Sequence, residues 1–229
     1  MDDDDRWLPE KLAKQVARFQ QDPALGFLYS KTLVEQGGQI VGARPSQLPL
    51  NTFGELFRIN FIPYLTVMVR KCHMDDVGGF DTTLPISLDY ELWLRLAQRC
   101  SFDWIPEPLA VYRLHAANIS KNRVAYYHDH FRLFQAIPVN PHLGVTAAAK
   151  RKRVAEERVA LGRHYRQQGV PAQAVGQYLQ GLLAYPLAGL RFWDPETERF
   201  RFSAPYRALK PYVELASCAA LSIMKGTSS

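Results

Sequence analysis

The sequence predicts a mixed α/β domain followed by an all-α extension. Three observations carry this prediction. Over the first 120 residues, short runs rich in β-branched and aromatic residues alternate with helical patterns. After Ser120 the strand signals stop and the chain reads as helical and basic. Hydrophobic residues make up 47% of the 229 residues and charged residues 22%, which fits a packed core and excludes disordered and fibrous classes. Alternating strands and helices close into layers around one core, and a run of helices packs as a separate body.

The elements follow in order. Pro9 suits the first turn of a helix, where a missing N–H costs little. Leu12, Val16 and Phe19 continue it at helical spacing, and Asp22-Pro23 ends it. Gly26 to Tyr29 is an apolar run that predicts a strand. Thr32 to Glu35 and Gln39 to Val41 flank Gly37-Gly38 as the arms of a hairpin. Phe53 to Phe57 predicts a short helix, and Tyr64 to Arg70 a strand. Gly78-Gly79 and Pro85 mark a loop from Asp75 to Ser87. Asp89 to Arg99 predicts a helix with Leu92, Trp93 and Leu96 on its apolar side. Phe102 to Ile105 and Leu109 to Tyr112 predict two further strands. Lys150 to Arg153 is a basic run at an expected boundary.

The net charge of +6 is compatible with a nucleic acid, an anionic membrane surface or a negatively charged nucleotide-sugar. No long basic tail is present, so nucleic acid is not expected as a partner. The three cysteines, Cys72, Cys100 and Cys218, form no CxxC pair, which argues against a disulfide framework or zinc site and suits a reducing cytosol. The acidic N-terminus does not read as a secretory signal, and no run reaches the roughly 20 apolar residues of a membrane span. A cytoplasmic location is the expectation.

Four segments together carry a family resemblance. Met1 to Leu12, MDDDDRWLPEKL, resembles the LDxDDxWxPxKL segment of family 2 glycosyltransferases. Thr66 to Asp81, TVMVRKCHMDDVGGFD, resembles that family's acceptor segment, which ends in GGFD. Leu88 to Leu96, LDYELWLRL, resembles its EDYDLWLRL helix start. Pro106 to Ser120, PEPLAVYRLHAANIS, resembles the YRxHxxxxS segment that closes the catalytic domain. The four occur in order across about 120 residues. Two departures stand out: the family's upstream nucleotide-binding half, built from βαβ units, has no counterpart here, and position 88 is Leu where the family has an acid.

The resemblance implies the C-terminal portion of a GT-A nucleotide-diphospho-sugar transferase fold in residues 1–120. It implies inverting transfer of a sugar from a UDP- or dTDP-type donor to a glycan or lipid-linked hydroxyl acceptor. Charge on the leaving diphosphate would be neutralised by Mg²⁺ or Mn²⁺, hard cations that prefer oxygen ligands. Asp2 and Asp4 match the family's DxD ligands, with Asp5 adjoining and His115 matching a histidine that approaches the metal or diphosphate. The same aspartates also read as a helix N-terminus or a protease-tag remnant, although such a tag ends in Lys and here Arg6-Trp7 follows. Asp89 matches the general base that deprotonates the acceptor; it equally suits a helix cap. Arg70 and Arg113 read as phosphate partners or as structural cations. Gly78 and Gly79 read as a tight turn lining the acceptor site. Glu91 is an acceptor contact, a supporting residue or a solvated carboxylate. Trp7 and Trp93 read as core rather than as sugar platforms. With the nucleotide pocket expected in the upstream half, these 229 residues alone should bind a nucleotide-sugar weakly.

The tail divides into a connecting helical segment, 121–149, a helical hairpin, 150–187, and a C-terminal helical segment, 188–229. Leu161, Gly162, Tyr165, Gly169, Ala174, Tyr178 and Pro186 match the spacing of a tetratricopeptide (TPR) repeat, with Arg158 at the usual Trp position. One repeat cannot bury its face alone, so helices near Arg123 to Ala136 and Tyr206 to Met224 should flank it. The last of these, with Arg207, Lys210 and Lys225, also suits peripheral contact with the inner membrane face. The competing function is a non-catalytic fragment that engages a partner through this TPR-like module.

Overall fold

The computed structural model describes residues 5–45, 52–115, 122–186, 193–194, 199–200 and 205–226. The chain divides into two compact units, Met1–Lys121 and Asn122–Ser229. The first is a mixed α/β unit. Its spine is the twelve-residue strand β2 (Leu25–Gln36). β2 turns back through Gly37 and Gly38 into β3 (Gln39–Arg44). Both glycines have positive φ, 59° and 82°, as the tight hairpin turn requires. On the other side β2 runs parallel to β5 (Ser101–Arg113), and β1 (Arg6–Trp7) adds antiparallel to β5. A two-residue strand, β4 (Met68–Val69), pairs with the start of β2. Leu25, Phe27, Leu28 and Tyr29 are all buried, so both faces of the spine are covered.

Gly26 sits within this buried run because nothing larger fits. A Cβ there would lie 2.2 Å from Cys100 Sγ and 2.4 Å from Cys100 Cβ. Gly26→Ala is therefore expected to lower stability by about 1–3 kcal/mol through overpacking. The shift in urea midpoint measures this, and an unchanged midpoint would show that Cys100 yields freely.

Helices of this unit are α1 (Lys11–Gln21), α2 (Phe53–Arg58), α3 (Lys71–Asp76) and α4 (Leu88–Leu96). Four local expectations are corrected. Tyr64 to Arg70 is not one strand: Tyr64–Thr66 forms a 3-10 turn before β4. There Thr66 donates both its N–H and its hydroxyl to Pro63 O, and such local hydrogen bonds compete with strand pairing. The loop expected from Asp75 begins only after α3, which an i,i+4 pair between Lys71 and Asp75 supports at 2.6 Å. The two strands expected at 102–112 are one. Pro106 and Pro108 lack N–H groups, and the ladder shifts register beside them instead of ending. Finally, α1 presents Lys11 and Gln15 inward while Leu12 and Val16 are exposed. Gln15 Nε2 donates to Thr66 O at 2.7 Å and Lys11 Nζ to Gln15 Oε1 at 2.6 Å. Tertiary hydrogen bonds thus override the apolar period.

The second unit is helical: α5 (Arg123–Ala136), α6 (Ala147–Gln167), α7 (Pro171–Ala184) and α8 (Pro205–Gly226), with a short antiparallel pair β6 (Trp193–Asp194) and β7 (Arg199–Phe200). α6 packs on α7, α5 on α6 and α8 on α7. Small residues let α6 and α7 approach: a Cβ on Gly162 would meet the Tyr178 ring at 3.1 Å, and one on Gly181 the Ala155 carbonyl at 3.0 Å. Tyr178 is buried with Ala155, Val159, Ala174 and Cys218, and Tyr165 packs against that cluster. Buried Glu214 of α8 accepts from Tyr178 Oη at 3.2 Å and from Arg163 Nε at 3.0 Å. Charged side chains also bury between α5 and α6, where Arg153 pairs with Glu156 at 3.0 Å and Glu157 at 2.8 Å and Glu157 lies 3.5 Å from His130.

Candidate active site

Asp89 stands in the first turn of α4, whose N-cap Ser87 makes no side-chain capping bond. The helix N-terminus favours a carboxylate at this position. Burial acts in the opposite sense and dominates, pushing the carboxyl up to about 6. The carboxyl is enclosed, although the residue as a whole is half-buried. Its Oδ1 accepts the Tyr90 N–H at 2.6 Å, and Asn60 Nδ2 donates to Oδ2 at 3.4 Å. The Asn60 amide is oriented by Ile62, whose N–H donates to Asn60 Oδ1 at 3.2 Å. Tyr90 fixes the helix to α2 by donating its hydroxyl to Leu56 O at 2.7 Å. A partly enclosed carboxylate of near-neutral pKa is suited to taking a proton from a hydroxyl.

Glu91 lies two residues on, and its carboxylate receives both Nε and Nη2 of Arg95 at 2.6 Å. Arg95 also donates to Gly79 O at 2.7 Å and to Val77 O. The guanidinium therefore ties α4 to the turn at Gly78 and Gly79, whose φ values of 77° and 74° suit glycine. Glu91, Gly78 and Gly79 belong to one hydrogen-bonded group through Arg95.

Arg70 is placed elsewhere. Its guanidinium caps the end of α1, donating to Leu25 O at 2.7 Å and Phe19 O at 3.1 Å, and it stacks over the Phe19 ring.

A third group gathers at the sheet edge. β1 runs antiparallel to the end of β5, with Arg6 opposite Val111. This register sets buried Asp5 beside Arg113, whose N–H donates to Asp5 Oδ1 at 3.1 Å. Glu35 pairs with both Arg6 and Arg113 at 3.1 Å. His115 is exposed two residues beyond Arg113. The structure thus brings the end of the acidic run to the YRLH segment. Asp2 and Asp4 lie outside the described residues, and among the described residues no group of three or more His, Cys, Asp or Glu side chains could hold a metal. Asp89's hydrogen-bond partners, Asn60 and Tyr90, are not members of this edge group.

An aromatic cleft of about 310 Å³, lined by Trp7, Tyr64, Phe80, Met74, Leu92 and Trp93, was not foreseen from any motif. Leu92 and Trp93 follow Asp89 at i+3 and i+4, on the same side of α4. The two tryptophans differ. Trp93 is 2% exposed and stacks on Phe27 with ring centroids 6.1 Å apart, so it is core. Trp7 is 43% exposed. Its Nε1 donates to Leu65 O at 2.8 Å, and the Lys11 ammonium lies 4.2 Å from its ring centroid. Burial lowers Lys11 to about 8. One face of Trp7 is therefore held by the protein while part of the ring stays open. Asn60 and Lys11 were not legible as site residues, because each acts through a partner more than four positions away in sequence or on the inverted face of α1.

No protein-family model matches the chain. Over 127 residues it is 28% identical to an uncharacterized glycosyltransferase of Haemophilus influenzae, a match covering 52% of this chain and 42% of that protein. The chain thus spans less than half the length of the curated relative it matches. The similarity supports the broad class of glycosyltransferases.

Proposed function

We propose that this chain forms the acceptor side of an inverting, metal-dependent glycosyltransferase of family 2 with GT-A architecture. The observation that carries the reading is Asp89, a carboxylate made weakly acidic by burial and oriented by Asn60 at the start of a helix. The similarity to a glycosyltransferase supports it. In this reading Asp89 takes the proton from an acceptor hydroxyl as that oxygen bonds to the anomeric carbon of a nucleotide-sugar. The bond from that carbon to the diphosphate breaks on the opposite face, so the configuration inverts and a nucleoside diphosphate leaves. Arg95 holds Glu91 and the Gly78-Gly79 turn in place around the acceptor.

The carboxylates of Asp2 and Asp4 suit Mg²⁺ or Mn²⁺, hard cations that prefer oxygen ligands, and the resemblance adds His115 on the metal or diphosphate side. Support comes from the β1–β5 register, which carries Asp5 to Arg113. When bound, such a cation supplies neutralisation of the leaving diphosphate. The donor is a UDP- or dTDP-type sugar and the acceptor a glycan or lipid-linked hydroxyl.

The test is release of nucleoside diphosphate from a panel of nucleotide-sugars by the intact protein with Mg²⁺ or Mn²⁺ and candidate acceptors. Release that depends on acceptor and on Asp89 is expected. A protein that neither binds donor nor releases diphosphate would favour the non-catalytic, TPR-like module instead. Within this reading, Trp7 stacks on a sugar ring of the acceptor. Trp7→Ala is expected to raise the acceptor KM several-fold to about tenfold with kcat little changed, as loss of uniform binding does. Trp7→Phe, which keeps the ring and loses the bond to Leu65, should restore most of the affinity. An unchanged KM in both variants removes Trp7 from the acceptor site.

A further inference from the structure

We propose that the outer face of α8, together with Leu179 and Leu183 of α7, seats the helical unit on an anionic lipid bilayer. α8 has two apolar sides. Its inward side buries Pro211, Glu214 and Cys218 and packs Leu215 onto the cluster around Tyr178. Its outward side should then be charged, as solvent-facing helix surfaces are. It is not. Val213 is 63% exposed and Ile223 69% exposed, with Tyr212 and Leu221 exposed beside them. From Pro211 to Ile223 the sole charged residue is Glu214, which is buried and paired with Arg163. More than three turns of helix therefore face solvent without a charge. On α7, Leu179 and Leu183 are exposed one turn apart, Leu183 at 82%. A single exposed leucine needs no explanation, but a run of this kind marks an interaction surface.

Charge selects the occupant. Residues 122–229 hold fifteen Lys and Arg against seven Asp and Glu, a net +8, whereas residues 1–121 hold thirteen against fifteen, a net −2. The positive charge of the chain is thus concentrated on the unit that carries the apolar face. In sequence, Arg207 and Lys210 precede the charge-free stretch and Lys225 follows it. An apolar helix face with cationic flanks is the pattern of an interfacial helix, and each basic residue near an anionic surface adds to its attraction. A second copy is a poorer occupant, because two units of net +8 repel. No described helix is long and apolar enough to cross a membrane, so the contact is peripheral.

Flotation of the full chain with phosphatidylcholine vesicles, with and without phosphatidylglycerol, tests this. Binding to the anionic vesicles is expected, weakening roughly tenfold or more on neutral vesicles or at high salt. Val213→Glu with Ile223→Glu should abolish it, and Leu183→Glu on α7 should weaken it separately. All three positions are exposed, so circular dichroism should show intact helices. Failure of the wild type to float with anionic vesicles overturns the proposal, as does equal binding by the variants. So does a concentration-dependent dimer in sedimentation that Val213→Glu with Ile223→Glu dissolves, since it would assign the face to a second copy. None of these readouts depends on sugar transfer, so they stand or fall apart from the proposed activity.

Discussion

Asp89→Asn is expected to lower kcat of the intact protein by roughly 10²–10⁴-fold, the range a positioned general base supplies, while leaving donor binding unchanged. The amide keeps the shape and the bond from the Tyr90 N–H but cannot accept a proton. Burial sets a second consequence. The ordinary carboxyl value of 3.8 rises to about 6 in the folded chain, so the folded state binds the proton more tightly than the unfolded one. The sign follows: the contribution of Asp89 to stability is fully present below pH 3.8 and is lost as pH rises through 6. At neutral pH the ionised carboxylate is thus a cost, up to about 3 kcal/mol for full burial and less here because the residue is half-buried. Asp89→Asn should therefore melt no lower than the wild type at pH 7, and higher if the burial cost is realised. The wild type should also show an acidic limb in kcat/KM with apparent pKa about 6. A variant that transfers sugar normally would end the base assignment. A variant that loses transfer only because it melts lower would show that Asp89 is structural.

Arg95→Leu is expected to cost about 2–3 kcal/mol, because it strands a partly buried carboxylate and two carbonyls at once. In the folded chain this one guanidinium holds Glu91 in a two-pronged pair and caps Val77 and Gly79. Chemical denaturation of single and double variants resolves the terms. Glu91→Leu combined with Arg95→Leu should recover part of the loss, since an uncompensated charge is removed with its partner. If transfer is reconstituted, Arg95→Leu should also raise the acceptor KM through a loosened Gly78-Gly79 turn. A single-variant cost below about 0.5 kcal/mol, the scale of an exposed pair, would show that solvent already satisfies these groups.

The local part of the fold was readable from residue type. Gly37-Gly38 between two β-prone runs specified the hairpin, because only glycine takes positive φ twice at little cost. The apolar positions Leu92, Trp93 and Leu96 specified the buried side of α4. The helix expected near Arg123 to Ala136 is α5, and its start is capped by Asn122, whose side chain accepts the Ala125 N–H. α1 was not legible in this way. Leu12 and Val16 point outward because Gln15 reaches a carbonyl 51 positions away and Lys11 follows Gln15 inward. Two strands were expected at Phe102 to Ile105 and Leu109 to Tyr112, yet the long parallel pairing with β2 carried β5 through Pro106 and Pro108.

The candidate site divides in the same way. By itself the sequence determined which residue types were available: a carboxylate at a helix start, a run of aspartates, a glycine turn and a histidine after Arg113. Only the tertiary structure decided their company. It enclosed Asp89 and set Asn60 against it, gave Glu91 and the Gly78-Gly79 turn to Arg95, and assigned Arg70 to the end of α1. It also opened Trp7 to a cleft while closing Trp93 into the core. The reason is physical. Propensity, turns and caps depend on neighbours within a few residues, whereas burial, pKa and ion pairing depend on groups brought together from distant positions by packing.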